Sequence, residues 1–265
     1  MTRSSTWLAV ATLAALAPAG GHADVTLRQT TSGKALGLGG EAVSVTYIKG
    51  AKMRTETQFG GKTRVVIFDV DAQKMYGFDA GGRSGDAWDM ATVADELART
   101  IDAGAIVSRF EPNGQKKQVG AVTTRGYATR IVVPTTLGGP GGPQMTVTNE
   151  GTVWIAQDAP GSADYAAFYR AAATKGWIFS DPRAAKGQPG QAKAMADMYR
   201  QFADAGGVPY EVDMRISISG EGPMASMMSS LGNSELRTVT QSVDASPLPD
   251  DLFAPPPDLK LKPRK

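Results

Sequence analysis

The most constraining stretch of the chain is VPYEVDMRISIS, residues 208–219. Val208, Tyr210, Val212, Met214, Ile216 and Ile218 alternate there with Pro209, Glu211, Asp213, Arg215, Ser217 and Ser219. Successive side chains of a strand point to opposite faces, so one face is wholly apolar and the other polar. Such a strand is wet on one side only. It fits an antiparallel sheet covered on one face, not a parallel sheet buried on both.

The rest of the chain agrees with that sheet type. The segment DVTLRQTTSG (24–33) alternates Val25 and Leu27 with polar neighbours. In EAVSVTYIKGAKMRTET (41–57), Val43, Val45 and Tyr47 share a face, Gly50 marks a tight turn, and KMRTET returns. KTRVVIFDVDAQKMYGFD (62–79) repeats the plan, with a turn over Asp71–Lys74. Consecutive hairpins build an antiparallel meander. Further on, EPNGQKK reads as a turn, and TTRGYATRIVV (123–133) sets Tyr127, Thr129, Ile131 and Val133 on one side. GGPGGP (138–143) is a loop, and QMTVTNEGTVWIAQD (144–158) is a hairpin bending at Asn149–Gly151.

Three segments carry helical periodicity. In 90–102 the stripe is Val93, Leu97 and Ile101, with Thr92 and Asp95 or Glu96 as a capping arrangement. In 162–177 it is Tyr165, Phe168, Tyr169 and Ala172. In 191–207 it is Met195, Met198, Tyr199 and Phe202, closed by Gly206–Gly207. SDPRAAKGQPGQ between the last two reads as a flexible connection. The six-proline end, PLPDDLFAPPPDLKLKPRK, is extended and its basic KLKPRK terminus frayed. No repeat or linker divides the chain. The expected fold is α+β, a single domain over 24–265: a strongly curved antiparallel sheet with helices packed on its concave apolar face.

Residues 1–23, MTRSSTWLAVATLAALAPAGGHA, have the three-part layout of a secretory signal: a basic start, a short apolar core and small residues before a cleavage site. The apolar run is shorter than the roughly 20 residues a spanning helix needs. Cleavage falls before Asp24, or before Gly20 at a second A-x-A site; the competing reading is a buried amphipathic N-terminal helix. The expected location is periplasmic or secreted. The chain holds one histidine, His22, and no cysteine. With the leader removed, the protein lacks imidazole and thiol altogether. That excludes Ser-His-Asp and Cys-His nucleophiles, thiolate or imidazole metal ligands, and disulfides.

What remains is sparse in reactive groups. After Arg3 leaves with the signal, 27 basic residues face 26 acidic ones, without the clustered positive face of a nucleic-acid binder. Asp69 and Asp71 form a D-x-D pair that either holds a hard cation or ends a strand and opens its turn. DVDAQK resembles the opening of a calcium loop, but the later ligands are missing. No G-x-S-x-G elbow surrounds Ser219 or Ser226, and GLGGE leads into no phosphate-binding helix. No catalytic residue, metal site or cofactor is assigned. The apolar content says more. Eleven methionines include a concentration at Met195, Met198, Met214, Met224, Met227 and Met228. Flexible, polarizable thioethers either fill a core or line a surface that accepts variable apolar partners.

The order of motifs SVTYIKGAKMRTET, VVIFDVDAQKMYGFD, EPNGQKKQVGAVTTRGYATRIVV, GTVWIAQD and SPLPDDLFAPPPDLK resembles a family of exported bacterial proteins related to the LolA/LolB type of periplasmic lipoprotein carriers and receptors. The resemblance spans most of 41–260 and implies a half-barrel whose concave face holds acyl chains. On that basis Phe168, Met195, Met198, Tyr199 and Phe202 would line or cap a cavity from the helices. Trp154, Val212, Met214 and Ile216 would supply its sheet side. The expected function is non-enzymatic binding of a lipid or other hydrophobic ligand in the cell envelope. Two alternatives stand beside it: a sensor or interaction module binding an envelope protein through the same sheet, and a His-free hydrolase using Lys or carboxylates.

Overall fold

The computed structural model describes residues 24–35, 38–100, 106–136, 142, 144–221 and 234–264. The leader with His22, most of the 138–143 loop and the 222–233 segment with Met224, Met227 and Met228 lie outside the described residues.

The protein is a mostly-sheet α+β fold. One mixed sheet of twelve strands runs β1 (Val25–Ala35), β2 (Leu38–Lys49), β3 (Lys52–Phe59), β4 (Lys62–Asp69), β5 (Lys74–Asp79), β6 (Ser84–Asp89), β7 (Val107–Val119), β8 (Val122–Thr136), β9 (Gln144–Ala156), β10 (Val208–Gly220), β11 (Ser234–Asp244) and β12 (Lys260–Arg264). Four helices occur among the described residues: α1 (Met90–Thr100), α2 (Ser162–Thr174), α3 (Pro182–Gly187) and α4 (Pro189–Asp204). The spatial order is β12-β6-β5-β4-β3-β2-β1-β11-β10-β9-β8-β7, so the sheet is open, with β12 and β7 at its ends. The meander from β1 to β6 fills one half. After α1 the chain starts again at the far edge and works inward from β7, and β11 joins the halves by pairing with both β10 and β1.

Every neighbouring pair is antiparallel except β12 with β6, which is parallel. The all-antiparallel expectation fails there, and so does the frayed terminus. The tail returns along the sheet and sets Lys260 beside Ser84 and Arg264 beside Trp88. The Arg264 guanidinium then donates to Asp86 at 2.8 Å.

The sheet divides cleanly into two faces. On β4, Val66 and Phe68 share the inner face, towards α2 and α4, while Val65 and Ile67 face outward and cluster with Phe78. The proline-rich tail covers that outer cluster. Leu259 packs on it, and a single 3-10 turn (Asp250–Phe253) buries Phe253 next to β3 and β4. The Arg54 guanidinium donates to the Leu252 carbonyl at 3.1 Å. The extended tail is therefore a strap across the outer face.

Four further expectations are corrected. EPNGQKK does not turn the chain. β7 runs straight through it with a register shift between Pro112 and Lys116, where Gly114 has φ 73° and the Gln115 N–H donates to the Asn113 side chain. NEG at 149–151 is likewise no bend: β9 is one continuous strand, and Gly151 is needed because a Cβ there would collide with the Asp213 carbonyl oxygen. The connection before α4 contains the short helix α3, whose Asp181 cap accepts from the Arg183 N–H at 2.9 Å with Pro182 in the first turn. Helix α1 is capped not by Thr92 but by Asp89, whose Oδ1 accepts the Thr92 N–H at 3.0 Å.

Candidate functional site

Between the inner face and the helices lies a cavity of about 610 Å³. That volume falls within the roughly 300–1,000 Å³ of small-ligand sites. Its helical wall follows from α4 periodicity: Gln191, Ala194, Met195, Met198, Tyr199 and Phe202 all line it, spaced three or four apart on one stripe. Helix α2 adds Tyr165 and Tyr169, one turn apart, and the loop after it adds Phe179. These rings form one contiguous cluster. Tyr169 stacks on Tyr199 with centroids 4.9 Å apart, and Phe179 meets both edge-on at 5.0 and 5.3 Å. Full burial pushes the Tyr165 and Tyr169 phenols well above the ordinary tyrosine range, so both stay neutral. The Tyr169 hydroxyl donates to Met53 Sδ at 3.6 Å.

The sheet side is split. Its centre is a floor of hydroxyls and amides: Gln29, Ser44, Thr46, Thr55, Thr57 and Thr238. Many of these groups satisfy one another. Thr46 and Thr55 hydroxyls lie 3.2 Å apart, Thr238 reaches Thr31 at 2.9 Å, and Gln29 donates to Thr240 at 3.0 Å. Flanking that floor are Met53, Val66, Phe68 and Met75 on one side, and Val212, Met214, Ile216 and Leu236 on the other. Val43, Val45 and Tyr47 do share a face, but it is the outer one. The hydroxyls of β2 look into the hollow.

Of the sequence-derived candidates, Met195, Met198, Tyr199, Phe202, Val212, Met214 and Ile216 all line this cavity. Met195 sits at its rim, 37% exposed. Two candidates do not line it. Phe168 is fully buried behind the wall, edge-on to Tyr169 at 5.3 Å. Trp154 faces outward because it alternates with the inner residues Val153 and Ile155. Its ring lies against Gly126, where a Cβ would come within 2.9 Å, and carries the Lys117 ammonium 4.3 Å from its centroid. The single stripe expected along β10 is also interrupted. A register shift between Pro209 and Glu211 changes the phase, so Pro209, Val212, Met214 and Ile216 face the cavity while Val208 and Tyr210 leave that row.

Around Trp154 the outer face carries paired charges. Buried Glu211 meets Lys117 at 2.9 Å and Arg237 at 3.0 Å, and Arg237 also reaches Asp213 at 3.4 Å. Burial opposes charge on Glu211, but the Lys117 hydrogen bond and Arg237 hold its carboxyl below the usual range. Burial together with the neighbouring Glu211 raises Asp213. Among the described residues no group of three His, Cys, Asp or Glu side chains could hold a metal ion. Asp69 serves its turn, accepting the Ala72 N–H at 2.9 Å.

Sequence reasoning did not single out Arg64, Asn149, Phe179 or the hydroxyl floor. The floor has a sequence signal: Met53, Thr55 and Thr57 alternate in KMRTETQF as Ser44 and Thr46 do in AVSVTYI. Arg64 has none, since an Arg in a strand beside a turn ordinarily faces solvent.

No family model matches the chain, and no curated protein matches it. Among solved structures, it is similar to one described as "Structure of PNGF-II in C2 space group", at 11% identity and a TM-score of 0.36. The match covers 91% of this chain and 31% of that one. A likeness that distant informs neither fold nor activity.

Proposed function

We propose that this is an exported, non-enzymatic protein of the cell envelope that holds a lipid or other hydrophobic molecule between its sheet and helices α2 and α4, in a half-barrel of the LolA/LolB type. The observation that carries the reading is the cavity itself, walled by Met53, Met195, Met198, Met214, Tyr199 and Phe202. The half-barrel geometry draws support from the strand count, because open sheets rarely exceed about 10 strands without curling. Gly33 and Gly151 stand within strands where neighbouring backbone comes too close for a Cβ, and such glycines mark bends and close approaches. Export rests on the layout of residues 1–23. No described helix is long and apolar enough to cross a membrane. Holding rather than transforming fits a cavity whose charged lining is Arg64 and Asp181, with no histidine or cysteine anywhere after residue 23.

Native mass spectrometry of protein purified from a membrane-containing host tests the reading, alongside uptake of a fluorescent fatty acid. The expected result is a lipid-sized adduct released on denaturation and saturable uptake. Bare polypeptide with no uptake would overturn it.

A further inference from the structure

The cavity wall is neutral except at one place. Among its described lining residues only Arg64 and Asp181 carry charge, and their situations differ. Asp181 is already matched: its carboxylate accepts two guanidinium hydrogen bonds from Arg183, at 3.1 and 2.7 Å, and these hold its pKa below the ordinary range. Arg183 also meets Asp86 at 3.3 Å, and Arg264 binds Asp86 from the sheet edge. Arg64, by contrast, makes one hydrogen bond, at 3.2 Å to Asp79, whose side chain is 69% exposed, and otherwise only a longer-range attraction to the Asp181 carboxylate that Arg183 already holds. An ion pair so open to water is weakly held. A guanidinium has five N–H donors in a fixed fork suited to an oxyanion, and most of this fork remains free for a guest.

A glycine makes room for it. Gly77 lies on the neighbouring strand β5, and a Cβ there would stand 2.7 Å from an Arg64 terminal nitrogen and 3.2 Å from the Trp88 ring. The guanidinium thus lies across the inner face, over a position without a side chain. From Arg64 the same face of β4 continues through Val66 to Phe68, which is flanked in register by Met53 and Met75. Four residues of strand give about 13 Å of increasingly apolar wall leading away from the charge. Phe179, Tyr169 and Tyr165 complete the lining of this hollow from the helical side.

We propose that the guest is a single-chain amphiphile with an oxyanion head, carboxylate or phosphate, held by Arg64, its chain lying along Val66 and Phe68 among Met53 and Met75. This rests on the hydrophobic-ligand reading above and specifies which end of the ligand is recognised. A charge-assisted, bidentate contact in a partly buried site discriminates against a neutral head by about tenfold or more.

The test measures the affinities of palmitate, hexadecyl phosphate and hexadecanol for the full chain and for Arg64→Gln, with acetate and inorganic phosphate as chainless anions. The expected result is that the wild type prefers one or both anionic amphiphiles to hexadecanol by at least about tenfold, with the chainless anions too weak to compete. In Arg64→Gln that ratio collapses towards one. Gly77→Ala, which displaces the guanidinium without removing it, shrinks the ratio in the same direction. If wild type binds hexadecanol as tightly as both anions, or the ratio survives in Arg64→Gln, the head-group assignment is wrong while the hydrophobic-ligand reading stands. Displacement of a bound amphiphile by phosphate or acetate alone also overturns it, by showing a free-anion site. Failure of every amphiphile to bind the wild type removes both.

Discussion

At the residue scale, electrostatics of the folded chain concentrate in a few caps and pairs, and Asp89 is the clearest. It ends β6 and caps α1. The Lys74 ammonium at 2.7 Å and the Thr92 N–H hold its carboxyl at about 2, against an ordinary 3.8. Because the folded pKa is depressed, the stability it contributes is complete above about pH 4. It is lost as pH falls through about 2. The Lys74 pair is half exposed and worth little, so the cap dominates. Asp89→Ala should lower stability near neutrality by about 0.5–2 kcal/mol. Urea midpoints of wild type and variant at pH 6 should differ, and the gap should narrow as both are taken towards pH 2. A gap independent of pH would assign the effect to something other than the carboxylate. The sequence led to Thr92 as the cap, since Asp89 reads equally as the end of a strand. It is both, and only the chain's turn from β6 into α1 brings its oxygen to the Thr92 amide.

At the element scale, periodic segments were legible and punctuated ones were not. Helices α1, α2 and α4 and the β2–β3 and β4–β5 hairpins follow from spacing, because each carries its apolar residues at a regular period. The failures share a cause. Gly, Pro and Asn serve local turns and cross-strand crowding alike, and sequence does not separate them. NEG at 149–151 looks like a bend, yet Gly151 is there to admit the Asp213 carbonyl. EPNG looks like a turn, yet it is a bulge inside β7. PLPDDLFAPPPDL reads only as extended, yet Phe253 is buried beside β3 and β4 and Leu259 meets outward-facing Val65, Ile67 and Phe78. That strap gives a prediction of its own. Phe253 is only 5% exposed, and Phe253→Ala should cost about 3 kcal/mol, the lower end for a buried Phe because a surface strap can settle into the gap. Asp258→Ala, an exposed change in the same tail, should leave the denaturation midpoint where it was. Equal midpoints for both variants would mean that the tail lies on the sheet without stabilising it.

At the scale of the whole molecule the unusual feature is the polarity of the sheet. The strands carry hydroxyls inward at Ser44, Thr46, Thr55, Thr57 and Thr238, while part of their apolar complement faces out and is covered by the tail. A filled core would have no use for that floor, since buried hydroxyls gain little over apolar groups that pack. The proposed exchange of water for an amphiphile would use it: the floor would stay hydrated or self-paired when empty, and the methionine and aromatic walls would take up a chain when full. The sequence placed seven of the nine candidate residues on this hollow because helix and strand periods locate a wall. It misplaced Trp154 because the phase of β9 is set by Val153 and Ile155 beside it. If the hollow is functional space, filling it should abolish binding without harming the fold. Val212 stands half-buried on the cavity wall, so Val212→Trp places an indole where no atoms now sit, adding dispersion contacts rather than strain. The variant should melt at or above the wild-type temperature and lose at least about tenfold in fatty-acid affinity, roughly 1.4 kcal/mol. A variant that melts much lower would show the space to be already filled by side chains. One that melts normally and still binds would place the ligand elsewhere.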